Sequence, residues 1–141
     1  MPTRTAHAIW RGTLKQGSGE MAVESGAYRG TYSAGTRFGD EKGTNPEELI
    51  GAANAGCFSM AFSLQLEQAG YIAESIQTEA AVTIDKSGDG YRITHIHLTM
   101  SGRVPGIDPV QFRALAEQAK EGCPVSRALA GTTITLDAEL L

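Results

Sequence analysis

Apolar side chains recur at spacings of three and four along Leu49, Ala53, Gly56, Cys57, Met60, Ala61 and Leu64. This period predicts one long amphipathic helix within residues 43–70, GTNPEELIGAANAGCFSMAFSLQLEQAG. Asn45 supplies a cap oxygen, Pro46 suits the first helical position, and Glu48 stands where a capping-box carboxylate reaches back. Gly70 offers a left-handed stop, so the helix should run 46–69, roughly 36 Å at about 1.5 Å per residue. The stripe contains Cys57, which is therefore expected to face packing. The small side chains of GAANAG predict close approach of another helix, from the same chain or from a second copy.

Before this helix the pattern alternates. Thr5 to Arg11, Glu20 to Glu24 and Tyr28 to Ser33 read as three strands of a small meander, followed by a glycine-rich charged loop, residues 34–43, with Arg37 and Phe38 at its middle. Beyond the helix, Ile76, Ala80, Val82 and Ile84 mark a strand that turns through SGDG into Tyr91 to Met100. Asp108, Pro109 and Gln111 then open a helix with the stripe Phe112, Leu115, Ala116 and Ala119. Cys123 caps a short helix over PVSRALA, and residues 132–140 close the chain as a strand. Strands that cluster instead of alternating with helices predict an α+β fold, antiparallel sheets laid over helices.

The chain has 141 residues, with no linker or repeat, so 1–141 is expected to be a single domain. Twelve basic against sixteen acidic residues, a net charge of −4 and no basic run argue against a nucleic-acid partner. The N-terminal MPTRTAHAIW lacks the apolar run of a signal peptide, and the interrupted apolar stretches argue against a membrane partner. A cytoplasmic protein is expected. Two cysteines are too few for a disulfide framework, so their chemistry decides the function.

A thiol reacts as thiolate, and a nearby cation or helix N-terminus favours that form. Cys57 lies too deep in its helix for the dipole to help, so a cation must, and Arg37 is the best placed by type and position, with Glu47 able to orient it. Glu47 and Cys57 are ten positions apart, roughly 15 Å along a straight helix, which Arg37's length, a bend or a partner subunit must close. Cys123, at a helix N-cap, is a plausible second thiol. Both cysteines as small buried hydrophobes remain an equal alternative from the residues alone. His95 and His97 share a strand face, but without a nearby cluster of further ligands they read as a polar sheet face and not a metal site. Ser59 and Ser126 lack histidine and acid partners for hydrolase chemistry, and Gly17 to Gly19 is too small for a phosphate loop.

The blocks TRFGDEKGTNPEELIGAANAGCFSMA, VPGID, GCPVSRAL and ITLDAEL span nearly the whole chain. With them the sequence resembles the OsmC branch of the OsmC and organic-hydroperoxide-resistance (Ohr) family. The resemblance implies an intertwined homodimer of the OsmC-like fold and a thiol-dependent peroxidase for organic hydroperoxides, and more weakly hydrogen peroxide, with no metal, heme or flavin cofactor. By motif position it implies Cys57 as the peroxidatic cysteine, Cys123 as the resolving one, Arg37 as the activating arginine and Glu47 as its partner. A Cys57–Cys123 disulfide would then be restored by an external dithiol, of lipoyl type in the Ohr branch. The competing expectations are a noncatalytic stress or small-ligand-binding module, and a disulfide-based redox sensor.

Overall fold

The computed structural model describes all of residues 1–141 and divides them into two compact units, Met1–Leu49 and Ile50–Leu141.

In the first unit, β1 (Ala6–Arg11), β2 (Ser18–Val23) and β3 (Arg29–Tyr32) form an antiparallel meander in the order β1-β2-β3. Ala6 pairs with Val23 and Gly19 with Tyr32. The rings of Trp10 and Tyr32 meet at 5.3 Å between centroids. The stretch expected to be an open loop contains a short helix, α1 (Ala34–Phe38). Its cause is a reciprocal cap: Thr36 N donates to Ser33 Oγ at 3.2 Å, and Ser33 N donates to Thr36 Oγ1 at 2.9 Å. Arg37 is thus carried on a fixed helical turn.

Helix α2 (Pro46–Gln68) begins where Asn45 Oδ1 accepts the Glu48 N–H at 2.8 Å. It stops at Gly70, whose φ of 92° lets Tyr71 N reach Leu66 O at 2.9 Å. The boundary between the units falls within this helix.

The second unit carries β4 (Ser75–Ser87), β5 (Gly90–Arg103), α3 (Pro109–Gly122), α4 (Pro124–Ala128) and β6 (Thr133–Leu140). Its sheet has the order β4-β5-β6. The β4–β5 hairpin is antiparallel, but β6 lies parallel to β5, Ile96 beside Ile134. The expectation of wholly antiparallel sheets is corrected at this pair: α3 and α4 form the connection that lets β6 return in the same direction. Ile96, Leu98 and Met100 of β5 join Phe58, Phe62 and Leu66 of α2 and Phe112, Ala116 and Ala119 of α3 in one buried core.

That core also corrects the helical stripe. The buried face of α2 is Gly51, Asn54, Phe58, Phe62 and Leu66, while Ala53, Gly56, Met60 and Leu64 are exposed. Phenylalanine rings fill the space over the sheet that smaller side chains would leave empty. At Gly51 a Cβ would lie 3.2 Å from Val82 and 3.3 Å from the Ala80 carbonyl, so close approach does occur there, to a strand. Apolar on both faces, α2 reaches the length and apolar character of a membrane span, contrary to the sequence expectation of only short apolar runs. One of those faces packs the core.

Candidate active site

In the first unit Arg37 forks onto Glu47. Nη2 donates to Oε1 at 2.7 Å, and Nε donates to Oε1 at 3.1 Å and Oε2 at 3.2 Å. Two caps hold the pair. The Ser33 cap sets α1, and Asn45 Nδ2 donates to the Thr36 carbonyl at 3.0 Å, tying the start of α2 to the residue before Arg37. The Glu47 side chain is 8% exposed, so its charge is compensated mainly by this contact. Nη1 takes no part in the pair, which leaves a guanidinium of fixed orientation with donors for an anionic oxygen or sulfur.

In the second unit the two thiols meet. Cys57 is partly exposed on α2; Cys123 is fully buried where α3 ends and α4 begins. Pro124, at the first position of α4, makes Cys123 its N-cap, and Sγ accepts the Ser126 N–H at 3.5 Å. The two thiols lie near enough to influence one another's protonation. Burial, then the neighbouring Cys123 thiol, push the Cys57 thiol above its ordinary value. Burial acts in the same sense on Cys123, but its interactions with Cys57, Ser126 and the Val125 backbone outweigh it and lower that thiol. Two neighbouring sulfurs, 66 positions apart in sequence, are an arrangement for making and breaking a disulfide.

Sequence reasoning passed over Asn54 and Ser126 as parts of this site. Asn54 Nδ2 donates to Ser126 Oγ at 3.0 Å and approaches Cys123 Sγ at 4.0 Å. The available signal was an amide in an otherwise apolar turn, three residues before the thiol. Ser59 bonds the Ala55 carbonyl and Thr78, each at 2.8 Å. His95 Nε2 and His97 Nδ1 both meet Thr135 Oγ1, at 2.7 and 2.6 Å, on the polar face of the second sheet.

Residues 39–138 match the family described as OsmC-like protein. The chain belongs to the OsmC-like family. This OsmC-like chain is 49% identical to Peroxiredoxin OsmC of Escherichia coli (strain K12) over 138 residues, 97% of this chain and 96% of the relative. It is 31% identical to the organic hydroperoxide resistance protein OhrA of Bacillus subtilis (strain 168), across 69% of this chain and 68% of the other. Among solved structures, an OsmC-like protein of unknown function from Vibrio cholerae superposes with a TM-score of 0.78 at 19% identity, covering 98% of this chain and 99% of that one. The likeness extends to the fold of the whole OsmC-like chain.

Proposed function

We propose that this chain is a cysteine-based peroxidase that reduces organic hydroperoxides, and hydrogen peroxide less well, as one OsmC-like domain in the cytoplasm. The observation that carries the reading is the nearness of Cys57 and Cys123 in a chain 49% identical to a peroxiredoxin. The Cys57 thiolate attacks one peroxide oxygen, the O–O bond breaks, and the alcohol leaves with a proton, so that Cys57 becomes a sulfenic acid. The Cys123 thiolate attacks that sulfur, the S–O bond breaks, and hydroxide leaves as water after taking up a proton. A dithiol of lipoyl type then reduces the disulfide and is itself oxidised to a cyclic disulfide.

Arg37, oriented by Glu47, supplies the positive charge that favours the Cys57 thiolate and the developing alkoxide. No metal, heme or flavin is required by this chemistry. The protein acts as a homodimer, for which the exposed apolar face of α2 provides the motive.

The test is consumption of cumene hydroperoxide with a dithiol supplied. Turnover in the parent, lost in Cys57→Ser and accompanied by a 57–123 disulfide in the parent, supports the cycle. A parent that consumes no peroxide and keeps both thiols reduced sinks it.

A further inference from the structure

The two sulfurs of a Cys57–Cys123 disulfide are not equivalent, and the reductant must choose one. We infer that the reducing thiolate attacks Cys57, and that Asn54 is a positioning residue which, through Ser126, holds Cys123 as the departing thiolate. The inference rests on the disulfide of the proposed cycle.

Access is the first reason. Cys123 is 0% exposed within a single chain, whereas Cys57 is partly exposed. A nucleophile reaching the bond from outside meets Cys57.

The second reason is the set of donors around the buried sulfur. Asn54 Nδ2 carries only hydrogens, so Ser126 Oγ, 3.0 Å away, must accept from it. The Ser126 hydroxyl hydrogen is then free for Cys123 Sγ, which also receives the Ser126 N–H at 3.5 Å. The Asn54 amide itself lies 4.0 Å from that sulfur. These donors favour the charged form of Cys123, and a thiol more stable as thiolate leaves faster.

Asn54 is an unusual choice for packing alone. It is 0% exposed within an apolar helix, and its Oδ1 has no hydrogen-bond partner. An unpaired buried acceptor is costly, so the useful half of this amide is the donor aimed at Ser126 and Cys123.

The step balances as an exchange. The reductant's thiolate forms a bond to Cys57 Sγ, the Cys57–Cys123 bond breaks, and the electron pair leaves on Cys123 Sγ. The second thiol of the dithiol, as thiolate, then attacks the reductant sulfur of the adduct, closes its own disulfide and releases Cys57 as thiolate. Two protons lost by the dithiol are available to the two cysteines.

The experiment treats the oxidised full-length protein with 2-mercaptoethanol, quenches in acid, alkylates the released thiol with N-ethylmaleimide and maps the peptides by mass. The expected result is mercaptoethanol on Cys57 and maleimide on Cys123; the reverse labelling overturns the inference. A parent that forms no 57–123 disulfide overturns the cycle and the inference together, which separates the two failures. For the positioning role, Ser126→Ala should slow opening of the disulfide about threefold or more. In a Cys57→Ser background it should also move the thiolate absorbance of Cys123 to higher pH. Ser126→Thr, which keeps the hydroxyl, should restore both. Asn54→Leu should shift both readouts as Ser126→Ala does, and if it fails to fold the serine pair decides. An unchanged pH profile in Ser126→Ala overturns the relay.

Discussion

Arg37 and Glu47 are joined by three hydrogen bonds of 2.7 to 3.2 Å, with the carboxylate as the more buried member. The two ends of this contact are therefore unequal. Arg37→Ala strands a nearly buried carboxylate, a loss of about 3–5 kcal/mol in the fully buried limit, which the partial exposure of Arg37 reduces. Glu47→Gln keeps an acceptor and loses only the charge-assisted part, of order 1.5–3 kcal/mol before the same reduction. Urea unfolding should rank Arg37→Ala as the less stable variant, while both lose peroxide turnover. Equal stability of the two would contradict the buried, compensated carboxylate.

A second prediction concerns the coupled thiols. Burial and the neighbouring Cys123 thiol both hold the Cys57 thiol above its ordinary value, so Cys123→Ala should lower it, although burial will keep it raised. Conversely, Cys57→Ala removes an interaction that lowers Cys123 and should raise the value of that thiol. Thiolate absorbance against pH in each single-cysteine chain reads the directions. Because folding depresses Cys123, its contribution to stability is present above the unfolded thiol value and fades as pH falls through the lowered folded value. In Cys57→Ala that pH-dependent gain should shrink.

The aromatic core gives a third. Phe62 is fully buried, stacked on Phe58 at 6.1 Å and edge-on to Phe112 at 5.1 Å between centroids. Phe62→Ala should cost about 3–5 kcal/mol, measured by denaturant unfolding, because it removes both ring contacts and leaves a cavity between α2 and α3. A loss under 1 kcal/mol would mean that the neighbouring rings collapse into the space.

The local signals in the sequence map closely onto these elements. Asn45 and Pro46 mark the start of α2, Gly70 its end, and Asp108 and Pro109 the start of α3, because caps and stops depend on a few adjacent residues. The reciprocal cap of Ser33 and Thr36 was equally local, but the glycines and charges around it concealed one turn of helix. Two features were not legible. A helix apolar on opposite faces gives the same period whichever face meets its own sheet, so the Phe58 and Phe62 side could not be told from the Met60 and Leu64 side. The parallel pairing of β6 with β5 depends on where α3 and α4 set the chain down, a long-range matter. For the same reason the sequence suggests two thiols with a role but not the donors from Asn54 and Ser126 that distinguish them.

The second face of α2 carries the last prediction. Met60 is 77% exposed and Leu64 51%, one turn apart, with Ala53 and Gly56 exposed on the same helix and open space where a Gly56 side chain would stand. Large apolar groups above small ones form a surface that a second helix can approach closely, and exposed patches of this kind mark interfaces. In the proposed homodimer this face meets its counterpart in the partner. Met60→Glu with Leu64→Glu should therefore give a monomer by sedimentation at concentrations where the parent is a dimer. Two glutamates one turn apart on an exposed helix weaken it by only about 0.2–0.5 kcal/mol, so the far-ultraviolet spectrum should be retained. Dissociation with the fold intact assigns the interface to this face. A double variant that stays dimeric would require the protomers to join through another surface, with Met60 and Leu64 left in water.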